Sequence, residues 1–338
     1  MKTVLVTGAS SFLGYHVVKR LNELGIRPRV LELGESNLAP LDRLDVDRME
    51  GHLEDPRAVD AACTGVDTVL HLAFKVSVSG GTKVLDEMRR INVLGSRQLL
   101  QTAAAKGVAR VVVAGSALAV GVNRQPAALD ETADWNVHGF DLPYANIRRQ
   151  AEAEALANAR PGFAVIAACP SFTFGPDDPV GAPANKLIEA LIAGKLRFTL
   201  PVGFGCLDVR DFANGVVLAA ERGSSGRRYL FSGHNVTTNQ LLAQAAGIAG
   251  VRAPRFEPPM FLVNTIAGSV ELVSWLLRRP APITRRVLAI VGRYAWYDTT
   301  RAHTELGWKP RPLDQTLADT IRWLRDRQST ANAAGRAA

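Results

Sequence analysis

The sequence predicts an α/β fold, a doubly wound parallel sheet with a smaller, mostly helical unit after it. Three observations lead there. Short apolar runs alternate with longer helical patterns through the first half. A turn rich in small residues, Thr7 to Gly14, separates the first run from the first helix. After Pro170 the rhythm breaks into shorter elements interrupted by Pro and Gly. Regular alternation of strand and helix is the mark of parallel sheets, and strands apolar without alternation are those covered by helices on both faces.

Taken in order, Val4-Leu5-Val6 is the first strand and a helix follows from about Phe12 to Leu24. Arg29 to Leu33 is the second strand. A helix near Pro56 to Cys63 leads to Thr68–Leu72, and a long one from about Val84 to Lys106 leads to Arg110–Ala114. A helix from about Tyr144 to Asn158 precedes the strand Phe163–Ala167. Beyond Pro170, helices are expected over Asn185–Gly194, Thr238–Ala249 and Leu313–Arg325. The expected division is a nucleotide-binding domain over 1–170, to which about 205–235 return, and a mainly substrate-binding unit over 171–328. Residues 329–338, small and polar, are expected to form a flexible tail.

Composition bounds the function. The 338 residues carry a formal net charge of +8. Their basic side chains are scattered rather than gathered in a stripe, which suits an anionic ligand and argues against nucleic acid. Cys63, Cys169 and Cys206 form no CxxC pair and the six histidines are dispersed, so no metal is expected and the thiols read as reduced, in a cytoplasmic protein. The chain opens directly on a strand, not on a charged region followed by an apolar one. The most apolar stretch, Phe261–Leu277, contains Asn264 and Glu271 and reads as a buried or surface-lying helix.

Thr7-Gly8-Ala9-Ser10-Ser11-Phe12-Leu13-Gly14 carries the first chemistry. Gly8 permits the tight turn, Gly14 permits close packing of helix on strand, and the helix N-terminus offers N–H groups to a pyrophosphate. Ser11 stands where a middle glycine is usual. Glu32, 24 residues beyond Gly8, ends the second strand, where a carboxylate accepts from ribose hydroxyls and repels a 2′-phosphate. NAD(H) is therefore expected, and Arg27 and Arg29 keep NADP(H) as the lesser option.

These motifs resemble the extended short-chain dehydrogenase/reductase family, in which the nucleotide domain is of Rossmann type. Its further marks are Gly51–Asp55, His71-Leu72-Ala73, Asn92–Gly95, Gly115-Ser116-Ala117, Pro143-Tyr144 and Pro170–Pro176. Asp208–Asp211, Tyr297–Ala302 and Leu306–Pro310 extend the likeness to about Asp326. It is similar above all to the branch of dihydroflavonol reductases, hydroxysteroid dehydrogenases and hopanoid-associated epimerases. The resemblance implies a catalytic Ser116 and Tyr144, with Arg148 in the place of the family lysine. It implies cofactor contacts from Gly8, Ser10, Ser11, Phe12, Leu13, Gly14, Glu32, His52, Leu53, Leu72, Ala73, Phe74, Asn92, Tyr144, Arg148, Pro170 and Thr173.

Several positions depart from the pattern. Arg148, four residues after Tyr144, shares its helix face and can bias the phenol toward phenolate, but guanidinium differs from ammonium in shape and hydration. Tyr15 and Lys19 repeat the spacing on an ordinary helix face. His52 replaces an aspartate near the adenine, and Cys169 replaces an arginine of many members. Phe204 or a neighbour lies where sugar-nucleotide epimerases carry a diphosphate-binding arginine, although Arg210 and Lys186 remain as sources of charge. The apolar residues of Pro258–Leu277 suit either the core of the small unit or a lid over a greasy substrate. Arg278, Arg279, Arg285 and Arg286 beside them suit at most a peripheral membrane contact.

The expected activity is ketone reduction or secondary-alcohol oxidation on a small, apolar metabolite, with Tyr144 as acid and base. Two alternatives stand beside it: an NAD-retaining epimerase or dehydratase of a sugar-like substrate, and a catalytically quiet NAD-binding protein. The resemblance also implies a homodimer built on the helices Val84–Lys106 and Tyr144–Asn158.

Overall fold

A computed structural model describes residues 1–34, 36–76, 81–137, 142–259, 262–263, 265, 268–269 and 291–337. The segment expected as core or lid, with its four arginines, lies largely outside the described residues.

Seven parallel strands form the main sheet: β1 (Val4–Thr7), β2 (Arg29–Glu32), β3 (Asp47–Glu50), β4 (Thr68–His71), β5 (Arg110–Ala114), β6 (Ala164–Pro170) and β9 (Arg228–Phe231). Their order is β3-β2-β1-β4-β5-β6-β9. The chain runs outward from β1 to β3, returns to β4 and continues the other way, so the switch of direction falls between β1 and β4. That crevice is where open α/β sheets bind ligands. β1, β4 and most of β5 are buried throughout, the expectation for strands covered on both faces. On one face α1 (Phe12–Glu23) packs against α7 (Val209–Arg222). On the other lie α2 (Pro56–Cys63), α4 (Ser96–Ala105) and α5 (Pro143–Leu156), around Leu99, Leu100, Val111 and Val165.

A second sheet joins β7 (Phe172–Phe174), β8 (Gly203–Asp208), β10 (His234–Thr237) and β11 (Tyr294–Ala295). Against it pack α6 (Pro183–Ile192), α8 (Thr238–Ala249) and α10 (Leu313–Ala337), burying Phe174, Ile188, Leu241, Leu242, Leu317 and Leu324. α9 (Thr300–Leu306) lies between β11 and α10. α10 continues to Ala337, so the stretch from Ser329 expected as a tail has helical backbone; its alanines favour that state. Among the described residues, no helix is long and apolar enough to cross a membrane.

The helix expected over Val84–Lys106 is built in three parts: α3 (Thr82–Arg89), a π-helical turn (Arg90–Gly95) and α4. The turn brings Asn92 inward, fully buried, where its side chain accepts from Lys75 N at 2.8 Å and donates to Lys75 O at 2.9 Å. π-turns inside α-helices often mark functional positions.

Candidate active site

The first βα turn is drawn tight by two glycines. Gly8 has φ +75°, and a Cβ there would lie 2.6 Å from the Ala73 backbone after β4. A Cβ on Gly14 would lie 2.0 Å from Gly8 O. Neither position admits a side chain. Ser11 caps α1: its hydroxyl donates to Gly8 O at 2.7 Å and accepts from Gly14 N at 3.1 Å. Tyr15 N bonds to Ser11 O. The amides of Phe12 and Leu13, the first two of the helix, are left without intrahelical acceptors, and their dipole end suits an anion.

Glu32 is buried at the end of β2 and accepts from Ser10 twice, from N at 3.2 Å and Oγ at 2.6 Å. Burial raises its pKa, opposed by the hydrogen bonds from Ser10, Ala9 and Gly8. The carboxylate is thereby tied to the turn, at the strand end where acidic residues of such sheets meet a ribose. The turn, its helix amides and this acid therefore fit an adenine dinucleotide. Arg27 and Arg29 do not join them. They pair with Asp45 and Asp47, and Arg29 also donates to Ala62 O and Thr64 O, at the opposite end of β2. That removes the support they gave to NADP(H).

At the end of β4, beside the crevice, lies a buried polar chain that the sequence did not reveal. His71 at the end of β4 is held between Thr7 Oγ1 at 2.7 Å and Ser96 Oγ at 2.8 Å. Burial, then the positive charge of Arg148, pushes its pKa down to about 3. The ring is therefore neutral at physiological pH, with one donor and one acceptor. Ser96 spends its proton on Asn92 O at 2.7 Å. It must then accept from His71 Nε2, leaving Nδ1 to accept from Thr7. Thr7, His71, Ser96 and Asn92 thus form one directed chain that fixes the residues Leu72, Ala73 and Phe74 after β4.

Ser116 follows β5 and is 8 % exposed, and its carbonyl opens a short 3₁₀ turn. Tyr144 is half-buried in the first turn of α5, after Pro143, whose fixed φ suits a helix start. Arg148 is turned inward and only 5 % exposed. Its Nη2 donates to Ala114 O at 2.7 Å and also to Gly115 O, and its guanidinium lies 3.9 Å above the Phe74 ring. The cation is thus fixed to the backbone that presents Ser116. Its Nε and Nη1 are buried without a protein partner, at a small cavity shared with Phe74, Ser96 and Glu152.

The remaining candidates are dispersed. His52 is exposed on the turn after β3, while Leu53 beside it is buried near Gly95. Pro170 ends β6 beside Phe231, and Thr173 on β7 donates to Ser171 O at 2.9 Å. Tyr15 stacks edge-on to His16, and Lys19 pairs with Asp177 at 2.9 Å, an ordinary structural face. In the second sheet Phe204 stacks on Phe172, with centroids 4.7 Å apart, and packs with the helical core. Arg210 is held by Asp208 at 2.7 Å and Asp319 at 2.9 Å, and Lys186 is exposed on α6.

Residues 4–231 match the model of the NAD dependent epimerase/dehydratase family. The chain is 31% identical over 329 residues to sterol demethylase protein B of Methylococcus capsulatus, covering 96% of this chain and 99% of that one. It is 27% identical over 323 residues to a 4-hydroxy-2-methyl-3-oxo-4-farnesyl-3,4-dihydroquinoline-1-oxide ketoreductase of Stigmatella aurantiaca, covering 94% and 95%. Among solved structures, that of gox2253 superposes with a TM-score of 0.84 at 28% identity, over 97% and 99% of the two chains.

Proposed function

The chain belongs to the NAD-dependent epimerase/dehydratase family of extended short-chain dehydrogenases/reductases, and from that premise we propose that it interconverts a ketone and a secondary alcohol on a small, apolar metabolite. The observation that carries the reading is the anchoring of Arg148. Its charge is held on the Ala114–Gly115 carbonyls, directly before Ser116 and one helical turn from Tyr144.

Bound NADH supplies the hydride for the reduction. Tyr144 Oη gives its proton to the substrate oxygen, or takes it in the reverse direction. Ser116 Oγ donates a hydrogen bond to that oxygen. Arg148, anchored on the carbonyls before Ser116, takes the place of the family lysine. Glu32 accepts from the adenosine ribose, and the amides of Phe12 and Leu13 face the pyrophosphate.

Two features support an apolar substrate over a sugar nucleotide. The stretch Gly203–Cys206 presents glycine and a stacked Phe204, and Arg210 is already neutralised by Asp208 and Asp319. The names of the Methylococcus and Stigmatella relatives, a sterol demethylation protein and a farnesyl-quinoline ketoreductase, point the same way.

The test is stoichiometric. Purified protein is mixed with NADH and a panel of apolar ketones, steroidal and prenylated aromatic ones included, and NADH absorbance is followed. Consumption matched by alcohol formed supports the proposal. Cofactor that copurifies with the protein, with epimerised sugar nucleotide and no net NADH change, would replace it by the epimerase reading.

A further inference from the structure

Behind Arg148 lies a second buried charge. Glu152, one helical turn further along α5, is 2 % exposed and lines the same small cavity. One oxygen accepts from the Cys169 thiol at 3.2 Å. The other lies 2.8 Å from Arg228 Nε, an ion pair whose side chains are 13% and 1% exposed. That oxygen has no aligned hydrogen-bond donor, so the contact is one of charge rather than of hydrogen bonding. Gly115 makes room for the group, since a Cβ there would lie 2.4 Å from Cys169 Sγ and 2.6 Å from Glu152 Oε2.

The origin of Arg228 is informative. Cys169 on β6 occupies the position where many family members carry an arginine. Here the cation comes instead from the neighbouring strand β9, whose Arg228 pairs with Ala167 two residues before Cys169. A buried carboxylate without a counter-ion is strongly unfavourable, and Glu152 sits at i+4 from Arg148, on the same helix face. Arg148 lines the same cavity, so it is a cation that an unpaired Glu152 would attract.

We propose that Arg228 and Glu152 are a positioning pair: Arg228, reaching in from β9 in place of the arginine absent at Cys169, occupies Glu152 and so leaves the charge of Arg148 on the turn that carries Ser116. The thiol of Cys169 completes the carboxylate's coordination as a donor, and burial together with the charge of Glu152 keeps it protonated. The inference rests on the proposed role of Arg148 in the site.

The experiment is NADH titration of the full chain, followed by nicotinamide fluorescence, with thermal unfolding in parallel. Arg228→Ala should weaken NADH binding by about tenfold and should reduce the fluorescence enhancement. Arg228→Lys should keep both. The transposed double variant Arg228→Ala/Cys169→Arg returns the cation to β6 and should recover binding. Wild-type protein that binds NADH no better than Arg228→Ala overturns the positioning pair and leaves the proposed function standing. Wild-type protein that binds no NADH overturns both. If Arg228→Ala does not fold, the double variant decides: folded but unable to bind NADH, it overturns the inference.

Discussion

Ser10 and Glu32, on either side of the first strand–helix turn, are joined twice, the Ser10 amide and hydroxyl both donating to the one buried carboxylate. The acid proposed to meet the ribose is thereby tied to the loop proposed to meet the phosphates. A change at either residue reaches the whole adenosine half of the site.

Glu32→Gln is therefore expected to weaken NADH binding by about tenfold, near 1.4 kcal/mol, and to narrow the preference over NADPH. Burial raises the pKa of Glu32, so NADH affinity of the wild type should decline on acidification at a higher pH than an ordinary glutamate would give. The glutamine variant should lose that pH dependence. Titrations across the acidic range check both points.

Ser11 stabilises the turn rather than obstructing it. Ser11→Ala removes the helix cap and leaves Gly8 O with the Ser11 amide as its donor, and should cost about 1 kcal/mol in unfolding free energy. Ser11→Gly, the usual residue of the motif, should cost only a few tenths, with NADH affinity maintained. Denaturant unfolding of the pair of variants measures the difference.

Two buried histidines make the fold sensitive to acid. His71 is pushed down to about 3 by burial and by Arg148, and His16 to about 4 chiefly by burial. Both folded-state values lie below the unfolded one. Their contribution is thus complete above the unfolded pKa near 6.5 and is lost as pH falls through the window down to 4 and then 3. Each should steepen the stability curve by about 1.4 kcal/mol per pH unit there. Unfolding measured between pH 7 and pH 5 should show this slope, and a stability-tolerant replacement of His16 should reduce it by about one proton.

Arg148 joins α5 to the end of β5 as well as supplying charge. Arg148→Met should destabilise the protein by about 2–4 kcal/mol, because two buried carbonyls lose a charged donor. Arg148→Lys keeps the charge and a donor for the carbonyls but lacks the planar group that covers Phe74, so a smaller loss of stability is expected. Calorimetry of the two variants separates anchoring from charge.

The sheet's central strands were legible because they are continuous apolar runs between turn residues, and α2 because Asp55 and Pro56 mark its start. β3 was missed: Asp47–Glu50 is polar and largely exposed at the sheet edge, and its pairing with β2 comes from backbone rather than pattern. α7 was missed because it follows a stretch dense in glycine, although its buried face, Phe212, Val216 and Ala220 among others, has helical spacing. The π-turn at Arg90–Gly95 leaves no trace in a 3.6-residue period; Asn92's hold on Lys75 is its tertiary counterpart. In the site, spacing alone pointed to Gly8, Gly14 and Glu32, and the family likeness to Ser116, Tyr144 and Arg148. It could not show that Arg148 turns inward, or that Glu152 on α5 meets an arginine 76 residues away on β9.

The most direct test of the central claim compares wild type with Tyr144→Phe, in NADH consumption on whichever apolar ketone the wild type reduces. The phenol should matter far more for proton transfer than for cofactor binding. The variant should therefore still bind NADH and lose at least about 100-fold in turnover. Turnover equal in the two proteins, with NADH binding equal as well, would contradict the account and place the proton donor elsewhere.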